Sequence, residues 1–217
     1  LLALVAAPAQ ATEGKTVALP GSGGPFLRLS LGPAVHRSAS VTRVVGGSFG
    51  AHVSGVALDA HALAGWWFPQ QFGLGLGLST LFLPAGQGVK QEVRNPIGSR
   101  DPGRTVTLAE TPGTRATMLG FALQTYLDPA EPWFLQGIAG FATLPSFRAA
   151  DRVRDYAGPG LVGGLGHDFW TFSHARVGLL GQIHLMHLRD GQTAGNGNGD
   201  ASLTLFALSL VATVSFR

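Results

Sequence analysis

His52-Val53-Ser54 sets an imidazole and a hydroxyl two positions apart. On a strand these side chains share a face, near enough for the imidazole to act as general base toward the serine. Neither Asp nor Glu stands nearby as an evident third member. Two further motifs carry possible chemistry. Gly158-Pro159-Gly160-Leu161-Val162-Gly163 satisfies G-x-G-x-x-G, and Gly46-Gly47-Ser48-Phe49-Gly50 satisfies G-x-S-x-G. A dinucleotide loop and a nucleophile elbow each need a helix to follow, and no helical period follows either stretch. The first is therefore expected in a glycine-rich strand and the second in a loop between strands.

The seven histidines raise the question of a metal. His184 and His187 are an odd number of positions apart, as are His52 and His61, so the members of each pair face apart on an unbroken strand. No histidine pair combines ligand spacing with an adjacent carboxylate. The sequence-based expectation is no metal, no cofactor and no enzymatic activity, with His52 and Ser54 kept as the catalytic alternative.

The elements that hold these residues follow from composition and periodicity. Charged residues make up 12% of the 217 positions, against about a quarter in soluble domains. Glycine is abundant at 32 residues, and there is no stretch near the ~20 apolar residues of a membrane helix. The lack of cysteine excludes disulfides and thiolate chemistry, and a net charge of +3, scattered along the chain, gives no nucleic-acid footprint. Leu1 to Ala7 is apolar and Ala9-Gln10-Ala11 has the small-x-small form of a signal-peptidase site. Residues 1–11 are thus expected to be the tail of an export signal, 12–25 a periplasmic lead-in, and 26–217 the folded body.

Within that body, period-two alternation recurs. Leu27, Leu29 and Leu31 alternate with Arg28, Ser30 and Gly32; Leu74, Leu76 and Leu78 alternate with glycines; Phe206, Leu208, Leu210, Ala212, Val214 and Phe216 alternate with small or polar residues. Eight such segments are expected, or ten if residues 104–109 pair within the second long loop. Connections near 69–71, 128–132 and 171–174 are short. Those near 37–49, 84–114, 143–155 and 189–200 are longer and polar. Aromatic residues gather at the short turns, and Trp66, Trp67, Tyr126, Trp133, Phe169, Trp170 and Phe216 are expected at a membrane–water interface.

An apolar-out, polar-in barrel is stable only where its surroundings are lipid, whereas a lipocalin-like barrel needs charge on its outer face. The expected fold is an all-β, transmembrane, antiparallel up-and-down barrel in the bacterial outer membrane, with short periplasmic turns and longer extracellular loops. Arg28, Asp59, His61, Gln124, Tyr126, Gln136, Asp168, Gln182, His184 and Arg217 form the expected interior polar set. In a narrow barrel such residues either line a pore or form a plug of salt bridges and hydrogen bonds, and the plug is the expectation here.

The last strand, ending Val214-Ser215-Phe216-Arg217, resembles the C-terminal signal that outer-membrane barrels present to their assembly machinery. Leu165-Gly166-His167-Asp168-Phe169 resembles the Gly-Tyr-Asp strand end of the OmpA/OmpX-like superfamily. Leu58-Asp59-Ala60-His61 with Ala64-Gly65-Trp66-Trp67 looks like the second strand of that superfamily. The resemblance implies an eight-stranded outer-membrane barrel, and its members include anchors, adhesins, small pores and a few enzymes. His52-Val53-Ser54 is also similar to the His-x-Ser arrangement of outer-membrane lipid A deacylases, although here it lies on an early strand.

The leading functional expectation is a non-enzymatic barrel displaying surface loops, in contact with outer-membrane lipid, lipopolysaccharide and an unknown external ligand. Arg94, Arg100, Arg104, Arg148, Arg152 and Arg154 would offer charge to anionic sugars or phosphates. A narrow channel for small apolar or polar solutes is the alternative, and a lipid A-modifying acyl hydrolase a further one.

Overall fold

The computed structural model describes residues 23–44, 47–69, 72–85, 89–94, 104–108, 113–128, 132–149, 152–172, 175–190 and 201–216. The segment expected at 1–11 and residues 12–22 of the lead-in expected at 12–25 lie outside these, as do Arg100 and Arg217, while Gly24 and Pro25 of that lead-in already belong to the first strand. Among the described residues every regular element is a strand. In chain order they are β1 (Gly24–Val44), β2 (Gly47–Trp67), β3 (Phe72–Leu83), β4 (Val89–Arg94), β5 (Arg104–Leu108), β6 (Thr114–Tyr126), β7 (Trp133–Ala149), β8 (Arg152–Thr171), β9 (Ala175–Asp190) and β10 (Ala201–Phe216).

Eight of the ten close a barrel. The hydrogen-bonded order β1-β10-β9-β8-β7-β6-β3-β2 returns to β1 through the β1–β2 pairing, and every pairing is antiparallel. Closure removes the exposed edges that lipid could not satisfy. The remaining two strands form a hairpin that joins the sheet without joining the ring. Strand β4 pairs Val89–Arg94 with Ser48–Val53 of β2, and β5 pairs with β4. The backbones of Arg94 and Arg104 sit in this hairpin.

Alternation decides which side chains face lipid. Leu27, Leu29, Leu31 and Val35 of β1 are exposed, while Phe26, Arg28, Ser30 and Ala34 between them are buried. The same pattern runs through Leu74, Leu76, Leu78 and Phe82 of β3 and through Phe206 to Phe216 of β10. The inward glycines make the barrel narrow. A Cβ on Gly77 would meet the Ile138 side chain, and one on Gly166 would strike the Phe134 ring. At the facing pair Gly65 and Gly75 a Cβ would collide with the partner strand's backbone, so the two strands approach there as closely as only glycine permits.

Two details differ from expectation. The connections expected over 37–49 and 143–155 are largely strand: β1 continues to Val44 and β2 begins at Gly47, while β7 reaches Ala149 and β8 starts at Arg152. Strands of 21 residues are about twice the 9–11 needed to cross lipid, so their ends pair on beyond it, where no lipid enforces apolar alternation. Arg148, Arg152 and Arg154 belong to the paired β7–β8 extension.

The second difference concerns the aromatics. Trp66, Trp133, Phe169, Trp170 and Phe216 face outward, but Trp67 and Tyr126 point inward, with ring centroids 5.5 Å apart in a stacked pair. Adjacent residues on a regular strand cannot share a face, so Trp66 and Trp67 divide between lipid and lumen. The exception shows the rule. Phe169 and Trp170 are both exposed because the β8–β9 register shifts between Asp168 and Trp170, a bulge that re-aims one side chain.

Candidate functional site

The lumen is filled in two layers of opposite chemistry. Nearest the short turns lies an ionic layer. Arg28 of β1 reaches across to Asp168 of β8, with Nη2 3.2 Å from Oδ2 and 3.3 Å from Oδ1. The Tyr126 hydroxyl on β6 donates to Asp168 Oδ2 at 2.7 Å, and Arg28 Nη2 lies 3.4 Å from Ser215 Oγ of β10. The guanidinium carbon also sits 3.7 Å from the centroid of the Phe134 ring, which offers a buried cation the negative face of its π system. Arg176 stands over the Tyr126 ring at 5.1 Å. Unpaired, either charge would be costly in this setting; paired, they lock five strands together across the lumen.

Four residues further along β2, about 13 Å of strand from Leu63 at the level of Arg28, comes Asp59. Asp59 and His61 are two apart on β2; Gln182 and His184 are two apart on β9, three places round the ring. All four are buried and converge. His61 Nε2 is 2.6 Å from Asp59 Oδ1, His184 Nε2 is 2.9 Å from Asp59 Oδ2, and Gln182 Nε2 donates to Asp59 Oδ2 at 3.0 Å. Gln182 Nε2 also lies 2.6 Å from His61 Nε2, and Ser209 Oγ lies 3.4 Å from His184 Nε2.

This cluster corrects the expectation of a chain without enzymatic or metal chemistry. Donor atoms of Asp59, His61 and His184 all lie within 4.8 Å of one another, a buried carboxylate–imidazole–imidazole set of the kind that coordinates a metal ion. A flatly non-enzymatic assignment does not stand beside it. Spacing along a single strand does not reveal the set, because it forms between two separate parts of the wall. The legible signal was the pair of i, i+2 motifs, Asp59-Ala60-His61 and Gln182-Ile183-His184, each with both polar residues on the lumen side.

Beyond the cluster the lumen turns more apolar, although His36, Ser38 and Tyr156 are also buried there. Leu81, Met118, Ala142, Met186, Leu188 and Leu205 are buried there, and a Cβ on Gly160 would run into the Met118 sulfur and press on Met186. At the same height the wall changes construction. The β2–β3 ladder ends at Leu58 and Phe82, while the β2–β4 ladder begins at Val53 and Val89. Where β2 exchanges one partner for the other, a groove of about 630 Å³ opens on the side of the barrel. Its lining joins lipid-facing Val56, Leu58 and Phe82 to lumen-facing Ala57 and Leu83. Pro84, at the end of β3, has no N–H with which to extend that ladder. Asp59 is the next inward residue of β2 after Ala57.

The remaining sequence candidates fall elsewhere. Gln124 and Gln136 are buried, facing one another in the β6–β7 register. Ser54 is exposed on the outward face of β2, and His52 lies on the same face, half-buried. Residues 158–163 lie within β8 and residues 47–50 within β2, so neither glycine motif is followed by a helix.

No protein-family model matches the chain, and no curated protein sequence matches it. Among solved structures it is similar to the outer membrane protein OprG from Pseudomonas aeruginosa, at 15% identity and a TM-score of 0.53, covering 92% of this chain and 99% of that one. It also aligns with the outer membrane protein AlkL at 13% identity and a TM-score of 0.47, covering 89% and 90%. The outer membrane protease OmpT from Escherichia coli aligns at 10% identity and a TM-score of 0.40, covering 88% and 96%. The likeness to OprG is one of fold. With a closed ring, an apolar exterior and a polar interior, the chain is a bacterial outer-membrane β-barrel protein.

Proposed function

We propose that this barrel is a narrow conduit for small apolar solutes, with its exit through the side wall rather than the floor. The observation that carries this reading is the groove where β2 passes from β3 to β4, because its lining runs from lumen-facing Ala57 and Leu83 to lipid-facing Leu58 and Phe82. An apolar solute entering from the outer end meets Met, Leu and Ala side chains it can displace. Below them it meets buried ions and amides, whose desolvated contacts it cannot replace. The low-cost route is therefore sideways into the lipid. Passage requires the packed Met118 and Met186 side chains to move aside.

A short alkane carrying a diazirine tests this by photolabelling the folded barrel in lipid. The conduit predicts adducts concentrated at residues 56–58 and 82–84 and displaced by excess unlabelled alkane. Adducts spread evenly over the lipid-facing band, undiminished by competitor, would overturn it.

Two finer points belong to the same proposal. The outer hairpins carrying Arg94, Arg104, Arg148, Arg152 and Arg154 would meet lipopolysaccharide phosphates, and β10 would present the assembly signal. Kinship with OmpA/OmpX-like barrels rests on the strand-end patterns alone. The acyl-hydrolase reading is supported by Ser54 and His52 sharing the outward face of β2, just beyond the apolar band. Loss of one lipid A acyl chain in cells carrying the native protein, but not Ser54→Ala, would replace the conduit with that enzyme.

A further inference from the structure

We infer that Asp59, His61 and His184, with Gln182 as a fourth donor, form a binding site for a divalent transition-metal cation of the Zn²⁺ type. The ion would clamp β2 to β9 across the lumen. This inference is independent of the conduit reading, since it rests on the polar cluster and not on the groove.

The donor types suit such an ion. Two imidazole nitrogens and a carboxylate oxygen are the ligands of borderline divalent metals, and an amide oxygen can complete four-coordination. Each pair of ligands is presented by an i, i+2 motif on one rigid strand, so two strands supply all four side chains. The imidazole rings of His61 and His184 have centroids 5.3 Å apart and are tilted 39°, converging on one carboxylate. Metal–nitrogen and metal–oxygen bonds of about 2.0–2.1 Å place tetrahedral ligand atoms about 3.3 Å apart. The present separations of 2.6 Å and 2.9 Å, to the two different oxygens of Asp59, would open by about 0.7 Å and 0.4 Å.

A second observation points the same way. His61 Nε2 lies 2.6 Å from Asp59 Oδ1 and 2.6 Å from Gln182 Nε2. A protonated Nε2 donates to the carboxylate but then confronts the amide N–H. An unprotonated Nε2 accepts from the amide but then confronts the carboxylate lone pairs. In this amide orientation protons alone leave one of these two close contacts unsatisfied, and with the amide reversed Gln182 Oε1 is instead set against Asp59 Oδ2. A cation in place of the proton satisfies the imidazole and the carboxylate together. With the amide reversed, Gln182 Oε1, buried and without a hydrogen-bond partner, turns toward the ion. The buried carboxylate also gains the counter-charge it needs.

The test is a Co²⁺ titration of the tag-free barrel, refolded in detergent and followed by its visible d–d absorption. Folding of every sample is checked by the heat-dependent gel shift. The native chain is expected to give the intense band of four-coordinate cobalt, displaced by Zn²⁺. Asp59→Asn and His184→Gln are expected to weaken binding by at least about 100-fold, beyond the 10–100-fold typical of outer-shell changes. His187→Gln, on the outer face, is expected to leave it unchanged. Should the site variants fail to fold, X-ray absorption on native Co²⁺-loaded protein still decides, with two imidazoles per cobalt expected. Absence of the band from folded native protein overturns the site. So does equal affinity in folded Asp59→Asn and His184→Gln, or a ligand count without two imidazoles.

Discussion

The inner and outer halves of this lumen fill the same narrow space by opposite means. Toward the short turns, Arg28, Asp168, Tyr126 and Ser215 are held in fixed geometry by charge and hydrogen bonds from several strands. Toward the outer end, Met118, Met186, Leu188 and Leu205 pack by shape, with the buried polar side chains of His36, Ser38 and Tyr156 at the same levels of the wall. A buried ion pair resists opening because each separated charge is left desolvated, whereas unbranched thioethers re-pack at small cost. One end of the barrel is built to stay shut and the other is able to yield. The side groove lies at the level of the second.

Breaking the ionic half should have the largest effect. Asp168→Ala leaves the Arg28 guanidinium buried without its carboxylate and should destabilise the barrel by about 3–5 kcal/mol in reversible unfolding. Replacing both partners with apolar residues, Arg28→Met with Asp168→Leu, should recover most of that loss. If the double change is as damaging as the single one, the ionic layer does more than neutralise itself.

A smaller effect is expected at the groove. Leu83→Trp places a large ring where lumen and lipid meet and should cost about 1–3 kcal/mol of stability through overpacking. Its main consequence should be blocked passage of apolar solute. The mildest change is in the soft half itself. Met186→Leu conserves volume and should cost less than about 1.5 kcal/mol, but it should slow solute passage, because Leu lacks the third rotatable bond of Met. Unchanged passage would show that softness at Met186 is not what the route uses.

Much of the wall was legible in the sequence, because lipid enforces it. Leu27, Leu29 and Leu31 against Arg28 and Ser30, or Phe206 to Phe216 against their small neighbours, announce both the strand and its lipid-facing side. Parity alone also assigns Asp59, His61, Gln182 and His184 to one side of their strands. What parity cannot give is which inward residues meet, since that depends on the stagger between strands round the ring. Asp59 and His184 are therefore neighbours that no spacing along the chain announces. The groove was hidden for a related reason. Strand β4 carries Lys90, Gln91, Glu92 and Arg94 beyond the lipid, so no apolar alternation marks it as the strand that takes over pairing with β2. Trp67 and Trp170 show how a single position, or a single bulge, decides between lipid and lumen.

The central claim is that apolar solutes leave through the side while the ionic floor stays closed. Paired uptake of a radiolabelled alkane and a radiolabelled small sugar tests it directly. The cells should express the native barrel, Leu83→Trp, the lipid-facing control Leu76→Trp, or none. Alkane uptake above that of the barrel-free cells is expected for native and Leu76→Trp protein, with a fall to background for Leu83→Trp and no effect on the sugar. Sugar entering with the alkane, or alkane uptake unaltered by Leu83→Trp in a folded barrel, would contradict it.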